Sequence, residues 1–298
     1  MSNIKPQDIE FTGADNNKLS ATEHRSRSDR VAVLLHGGGQ TRHSWQGTAK
    51  RLADAGITAI TVDLRGHGES DWLEDQSYTF FHFAADVTAL AREVKSRYGV
   101  RPVIVGASLG GLSALMAEGE ADGPLLEALI LVDITPKMDP NGVKKIHDFM
   151  GAHLKDGFGS IEEAADAVSA YMPHRAKPKS LDGLNKNLRL GSDGRYRWHW
   201  DPAFAEGPLS IKSDRDEMRQ RGLQAVGRLK LPVLLIRGAR SELVSEEHAR
   251  EFLQMVPHAR YVDVAEAGHM VAGDKNDIFT SAVMDFLESD VEGEPVSV

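Results

Sequence analysis

Short β-rich apolar runs and longer amphipathic runs take turns along this chain, and that alternation restricts what it can fold into more than any other feature. Val31 to Leu35, Ile57 to Val62, Val103 to Val105, Ala128 to Val132, Val233 to Ile236 and Tyr261 to Val264 read as strands. Most are apolar throughout, the pattern of strands buried on both faces. Between them, helical patterns run at about Ser44 to Ala55, Phe80 to Tyr98, Ser108 to Gly119, Ser245 to Val256 and Asp277 to Leu287. Strand and helix in alternation predict an α/β fold: a mostly parallel central sheet with helices on both faces. Asp8 to Glu23 can add antiparallel edge strands. At 298 residues the chain can bury a full core as one large domain with an insertion.

Lys137 to Arg228 breaks the rhythm, with helix-like pieces at Gly142 to Leu154, Ser160 to Met172, Leu181 to Leu190 and Asp214 to Gly227 but no convincing buried strand. The expected organisation is therefore a core from residues 1–136 and 229–298 with a helical lid at 137–228, after the sixth core strand. The acidic end, Ser289 to Val298, reads as a loose tail.

Composition excludes several functions. The chain has no cysteine, which removes disulfides, thiolate metal sites and a cysteine nucleophile and favours a reducing compartment. A net charge of −9 disfavours nucleic acid and anionic membranes as partners, since both require a cationic surface. The start of the chain lacks the basic and apolar regions of a secretion signal, and no apolar run reaches the roughly 18 residues of a membrane span. The expected location is the cytoplasm and the expected partner a small-molecule substrate, with a homo-oligomer left open.

Chemistry concentrates in three segments. Val103-Ile-Val-Gly106-Ala107-Ser108-Leu109-Gly110 carries a strand into a G-x-S-x-G turn and then a helix. A serine there is held in a strained backbone with its hydroxyl exposed, and the helix N-terminus favours developing negative charge. The alternative, an ordinary glycine-rich turn, lacks that strand-before, helix-after context. Val31 to Gln40 ends a strand in His36-Gly37-Gly38-Gly39, a loop that lets N–H groups approach an oxyanion; the expected donors are the amides of Gly38 and Leu109. It matches neither phosphate-loop pattern. His269, in the loop Gly268-His269-Met270, is the candidate general base, since an imidazole is the side chain whose intrinsic chemistry suits proton transfer near neutrality.

Taken in order and spacing, His36-Gly37-Gly38, Asp63-Leu-Arg-Gly66-His67-Gly68-Glu-Ser70, Gly106-Ala-Ser108-Leu-Gly110 and Gly268-His269 resemble the sequence blocks of the α/β-hydrolase superfamily. The likeness covers Val31 to Val132 and Leu231 to Leu287. It implies a Ser, acid, His triad, an insertion that forms a lid, and a largely structural turn at Asp63, Arg65 and His67. Family members usually place an aspartate three residues after the glycine ending the seventh strand, where this chain has Ser241. Glu242, one residue on, is preferred as the acid because it keeps the commoner chain order; Asp133, at the end of the sixth strand, is the rival. The aromatic run Tyr196-Arg-Trp198-His199-Trp200, with Trp45, either lines the acyl pocket or pins the lid to the core.

The resulting expectation is a serine hydrolase that cleaves an ester, thioester or lactone of a small to medium apolar substrate through an acyl-enzyme. No cofactor is required, and the other histidines, His43, His82, His147, His153 and His174, show no metal-ligand spacing. Carbon–carbon bond hydrolases, amidases and perhydrolases share the triad and stay open, as does a slow-turnover receptor that retains it.

Overall fold

The computed structural model of this chain describes residues 5–27, 29–173, 180–213, 215–274 and 276–291; His174, Asp214 and the last seven residues lie outside them. In chain order the strands are β1 (Gln7–Thr12), β2 (Lys18–His24), β3 (Val31–Leu35), β4 (Thr58–Val62), β5 (Val103–Ala107), β6 (Ala128–Val132), β7 (Leu188–Leu190), β8 (Tyr196–Trp198), β9 (Val233–Gly238) and β10 (Arg260–Val264). The helices are α1 (Gln46–Asp54), α2 (Phe80–Tyr98), α3 (Leu109–Glu120), α4 (Pro140–Gly151), α5 (Ile161–Tyr171), α6 (Asp182–Asn185), α7 (Ala203–Glu206), α8 (Arg215–Val226), α9 (Glu246–Met255), α10 (Val271–Asp274) and α11 (Asn276–Ser289).

Eight strands form one sheet in the order β1-β2-β4-β3-β5-β6-β9-β10. The pairs β1/β2 and β2/β4 are antiparallel and the rest parallel. Every residue of β3, β4, β6 and β9 is buried, as continuous apolar runs such as Val31-Ala-Val-Leu-Leu require of a sheet covered on both faces. Alternate side chains sort into two cores. Ala32 and Leu34 pack with Trp45, Leu52, Phe279 and Phe286 under α1 and α11. Val33 and Leu35 pack with Phe83, Leu112 and Leu115 under α2 and α3.

After β3 the chain moves outward to β4, then crosses back to pair β5 on the other side of β3. The loops leaving β3 and β5 therefore diverge at the sheet's carboxyl edge, the crevice where open α/β sheets place their ligands. That one feature of strand order sets His36-Gly-Gly-Gly39 beside Ser108.

Residues 137–228 fall between β6 and β9 and contain α4 to α8. The expectation of helices alone is corrected: β7 and β8 pair as an antiparallel hairpin, Leu188 with Trp198 and Leu190 with Tyr196. The strands are three residues long and only partly buried, so they carry neither a long apolar run nor a clean alternation. The insertion is tied to the core at the turn after β4, where Gly68 N donates to His199 O at 2.7 Å and Asp201 N to Gly66 O at 2.7 Å.

Helix α8 lies close against α3, and a side chain on Gly119 would have its first carbon 2.5 Å from the carbonyl oxygen of Ala225. Gly119→Val should lower the urea unfolding free energy by about 2 kcal/mol or more through this overpacking. Gly123→Ala, at a position with nothing within 4 Å, should be near neutral. Equal effects of the two substitutions would contradict this packing.

Candidate active site

Ser108 stands between β5 and α3 with φ 45° and ψ −110°, a backbone conformation that L residues rarely adopt. The turn is possible because the chain on either side passes at contact distance. A Cβ on Gly106 would lie 2.5 Å from Gly111 Cα, and one on Gly110 2.6 Å from Leu35 Cβ. Ser108 N donates to Val132 O at 3.2 Å and Gly110 N to His36 O at 3.2 Å, which ties the turn to both neighbouring strands. Ser108 thus projects into a cavity and opens helix α3 at its positive end.

The loop after β3 is held by two buried histidines. His36 Nδ1–H donates to Gly37 O at 2.8 Å, and its Nε2 accepts from Leu64 N at 3.0 Å. His67 Nδ1–H donates to Arg65 O at 2.9 Å, and its Nε2 accepts from Gly39 N at 3.1 Å. Each ring needs one protonated and one bare nitrogen for this pattern, so both are neutral. Burial pushes His36 down to about 4, and burial above all, with the close approach of the second imidazole, pushes His67 to about 3. Gly37 N donates to Gln40 Oε1 at 3.0 Å. Among the described residues no backbone hydrogen bond takes up the amides of Gly38 or Leu109, and both residues line the cavity beside Ser108.

His269 lines the same cavity, in the loop between β10 and α10. Its Nδ1 lies 2.6 Å from Asp133 Oδ2. Asp133 is fully buried, with φ 49°, and its Oδ1 accepts from Gly238 N at 3.0 Å. The preference for Glu242 is corrected by this geometry: the carboxylate against the imidazole belongs to Asp133. The turn in which Ser241 N donates to Gly238 O aims Ser241 inward, and the next side chain consequently leaves in another direction. Glu242 pairs with Lys145 Nζ on α4 at 3.1 Å, and the Lys145 ammonium helps hold its carboxyl below the usual range against the opposing effect of burial.

The Asp63 turn is a brace. Asp63 accepts from the backbone of Arg42 at 2.6 Å and of Glu69 at 3.0 Å, and pairs with the Arg42 guanidinium. Arg65 grips Asp86 of α2 through two bonds at 2.6 and 2.7 Å. His67 packs edge-on against Phe204 and stacks near Trp200, so the turn also carries the insertion.

The cavity has a volume of about 1290 Å³. Trp45, Trp198 and Trp200 are buried and all line it. Trp200 also pins the insertion through its backbone bridge to His67, and Trp45 packs on Phe279 of α11. Lining and pinning are therefore one arrangement. Residue type alone did not flag the five methionines of the wall, Met138, Met150, Met172, Met218 and Met270. They come from five separate segments, so no local pattern joins them. Among the described residues no group of three or more His, Asp or Glu side chains is gathered as a metal ion would require. No helix among them is long and apolar enough to cross a membrane.

A serine at a strained strand-to-helix turn beside a glycine loop, on an eight-stranded sheet of this order, defines the α/β-hydrolase class. The chain belongs to the alpha/beta hydrolase family, whose model matches residues 32–282. It is 29% identical over 262 residues to Esterase Rv0045c of Mycobacterium tuberculosis, across 86% of this chain and 82% of that one. A solved structure of that esterase superposes with a TM-score of 0.73, covering 97% of this chain and 94% of the other. It is also 28% identical over 253 residues to 3-hydroxybutyrate-oligomer hydrolase of Cupriavidus necator, across 80% of this chain and 82% of that protein.

The two neutral histidines link stability to pH. Below pH 6.5 the unfolded chain takes up protons that the folded chain refuses until about pH 4 at His36 and about 3 at His67. Their contribution is complete above pH 6.5 and is lost as the pH falls, at about 1.4 kcal/mol per pH unit for each ring. The urea midpoint should drop between pH 7.5 and 5.0, and His67→Gln should flatten that slope. Parallel slopes in both proteins would remove His67 from the explanation.

Proposed function

We propose that this protein is a carboxylic-ester hydrolase that works through an acyl-enzyme. The observation that carries the proposal is a strained, cavity-facing Ser108 sharing its cavity with a histidine whose Nδ1 meets a buried aspartate at 2.6 Å. Two relatives, one named an esterase and the other an oligomer hydrolase, support the same bond class.

Asp133 holds the Nδ1–H tautomer of His269, which leaves Nε2 bare to accept the proton of Ser108. Ser108 Oγ then bonds to the carbonyl carbon, and the carbonyl oxygen takes the negative charge between the amides of Gly38 and Leu109. His269 returns the proton to the departing alcohol. A water deprotonated by His269 attacks the acyl carbon, and Ser108 leaves with that proton as the acid is released.

The substrate class follows from the wall. Its tryptophans offer rigid apolar area, and its methionines, unbranched and polarisable, adapt to different acyl shapes. We read the preferred substrates as small to medium apolar esters, thioesters or lactones, and residues 137–228 as a lid that sets the choice among them. A chain without cysteine suits the reducing cytoplasm.

A fluorophosphonate probe should label the wild type stoichiometrically and leave Ser108→Ala unlabelled, with esterase activity down by about a thousandfold or more. If Ser108→Ala keeps a tenth of the rate, about 1.4 kcal/mol of barrier, the nucleophile is elsewhere. Across p-nitrophenyl esters of increasing acyl length, Trp200→Ala should move the optimum while reaction with a small phosphonate persists. An unchanged length profile would take Trp200 out of the specificity wall.

A further inference from the structure

Trp200 is 2% exposed, yet its indole N–H has no acceptor among the described residues. Buried donors are normally paired. The indole nitrogens of Trp45 and Trp198 also lack partners but are enclosed by the protein around them, whereas that of Trp200 opens on the cavity. It stands against the bare face of Gly39, where a first side-chain carbon would lie 3.6 Å from Nε1. Gly37, two residues back, is so near the nucleophile that its own first side-chain carbon would lie 3.5 Å from Ser108 Cβ. Two backbone steps span about 7 Å at most, so the indole N–H lies within a short acyl group's reach of Ser108.

A second donor comes from the same hairpin. Thr41 Oγ1 donates to Asn187 Oδ1 at 2.8 Å, which leaves the two protons of Asn187 Nδ2 without an acceptor among the described residues. Asn187 lines the cavity too, and it and Trp200 flank the open end of β7–β8, where His199 N donates to Asn187 O at 2.8 Å. Neither side chain is free to turn elsewhere. The backbone of Trp200 is bridged to His67, its ring packs edge-on against Phe204, and the following Asp201 is held by Tyr78 Oη at 2.7 Å.

We propose that Trp200 Nε1 and Asn187 Nδ2 form a polar subsite among the tryptophans and methionines of the wall. The preferred acyl groups carry an oxygen acceptor, as an ether, hydroxyl, ketone or second ester, a few bonds from the scissile carbon. This rests on the reading of Ser108 as the nucleophile of an ester hydrolase and of Trp200 as part of its acyl wall.

The selectivity follows from what each acyl group does to the two donors. A hydrocarbon chain covers them and leaves them unpaired, while a chain of the same length with a suitably placed oxygen accepts their protons. A wall without donors makes the opposite choice, because an ether oxygen loses its hydration there and gains nothing.

The experiment measures kcat/KM for p-nitrophenyl 3-methoxypropanoate against pentanoate and for methoxyacetate against butanoate, in the wild type, Trp200→Phe and Asn187→Asp. Within each pair one oxygen replaces one methylene. Every rate is divided by that of the same ester with hydroxide, which removes differences in intrinsic reactivity. Trp200→Phe deletes the N–H and keeps an aromatic ring; Asn187→Asp keeps an acceptor for Thr41 and turns the free donor into an acceptor. In the wild type the ether ester of at least one pair should be the better substrate, and its ether-to-alkane ratio should fall about fivefold or more in each variant. A ratio taken within one protein does not depend on the fraction folded, and if Trp200→Phe yields no folded protein, Asn187→Asp decides. A wild type that favours the alkane in both pairs, or ratios that Trp200→Phe leaves unmoved, would overturn the polar subsite and leave the ester-hydrolase reading standing. A ratio unmoved in Asn187→Asp alone would take that residue out of the subsite. No turnover of any of these esters, or turnover that Ser108→Ala retains, would overturn the ester-hydrolase reading and the subsite with it.

Discussion

The site depends first on a steric constraint: one serine must hold φ 45° between a buried strand and a buried helix. A strained residue persists only where its surroundings over-determine it. Here β5 is clamped between β3 and β6, while α3 begins so near the sheet that Gly110 has no room for a side chain against Leu35. Relaxing the turn would push α3 off the sheet and open the core of Leu112 and Leu115. Burial of that helix offsets the strain at its first residue.

Around this turn the polar groups serve as fasteners, and most are kept uncharged or paired. His36 and His67 are buried neutral bases that each clasp two backbone segments, so the glycine loop beside Ser108 is shaped without a charge on either ring. The buried arginines Arg42 and Arg65 each meet carboxylates, with Asp63 and Asp86 buried beside them. Removing one partner of such a pair leaves an uncompensated charge in the interior, so these contacts guard one geometry more than they add stability. The same turn that holds the glycine loop also receives the insertion, through Gly66, His67 and Gly68. The shape of the cavity wall and the aim of the loop amides are mechanically linked.

Much of this was legible in the residues. Runs buried on both faces announce themselves by continuous Val, Ile and Leu, and the six strands read in the core all appear within a few residues of their expected ends. The serine turn and the glycine loop are local features in which steric need dictates residue type. The hairpin β7–β8 was not legible, because three-residue strands with a single buried position each leave no period to detect. The methionine wall was hidden for another reason, since its members come together only when five distant segments close over the sheet.

The sequence by itself determined the alternation of elements, the residue at the strained turn, the glycine loop and the histidine loop, because each is a demand made within a few bonds of backbone. Which carboxylate meets His269 is a different kind of question. Asp133, Ser241 and Glu242 all stand at strand ends on the same edge, and chain order favoured Glu242. Only the folded turn after Gly238, which sends Ser241 to Asp133 and Glu242 to Lys145 on the cavity wall, separated them. A one-residue step along a tight turn swings a side chain to the other side of the loop. That direction is set by long-range hydrogen bonds across 105 and 108 residues of sequence, from Gly238 and Ser241 to Asp133, and no local pattern records it.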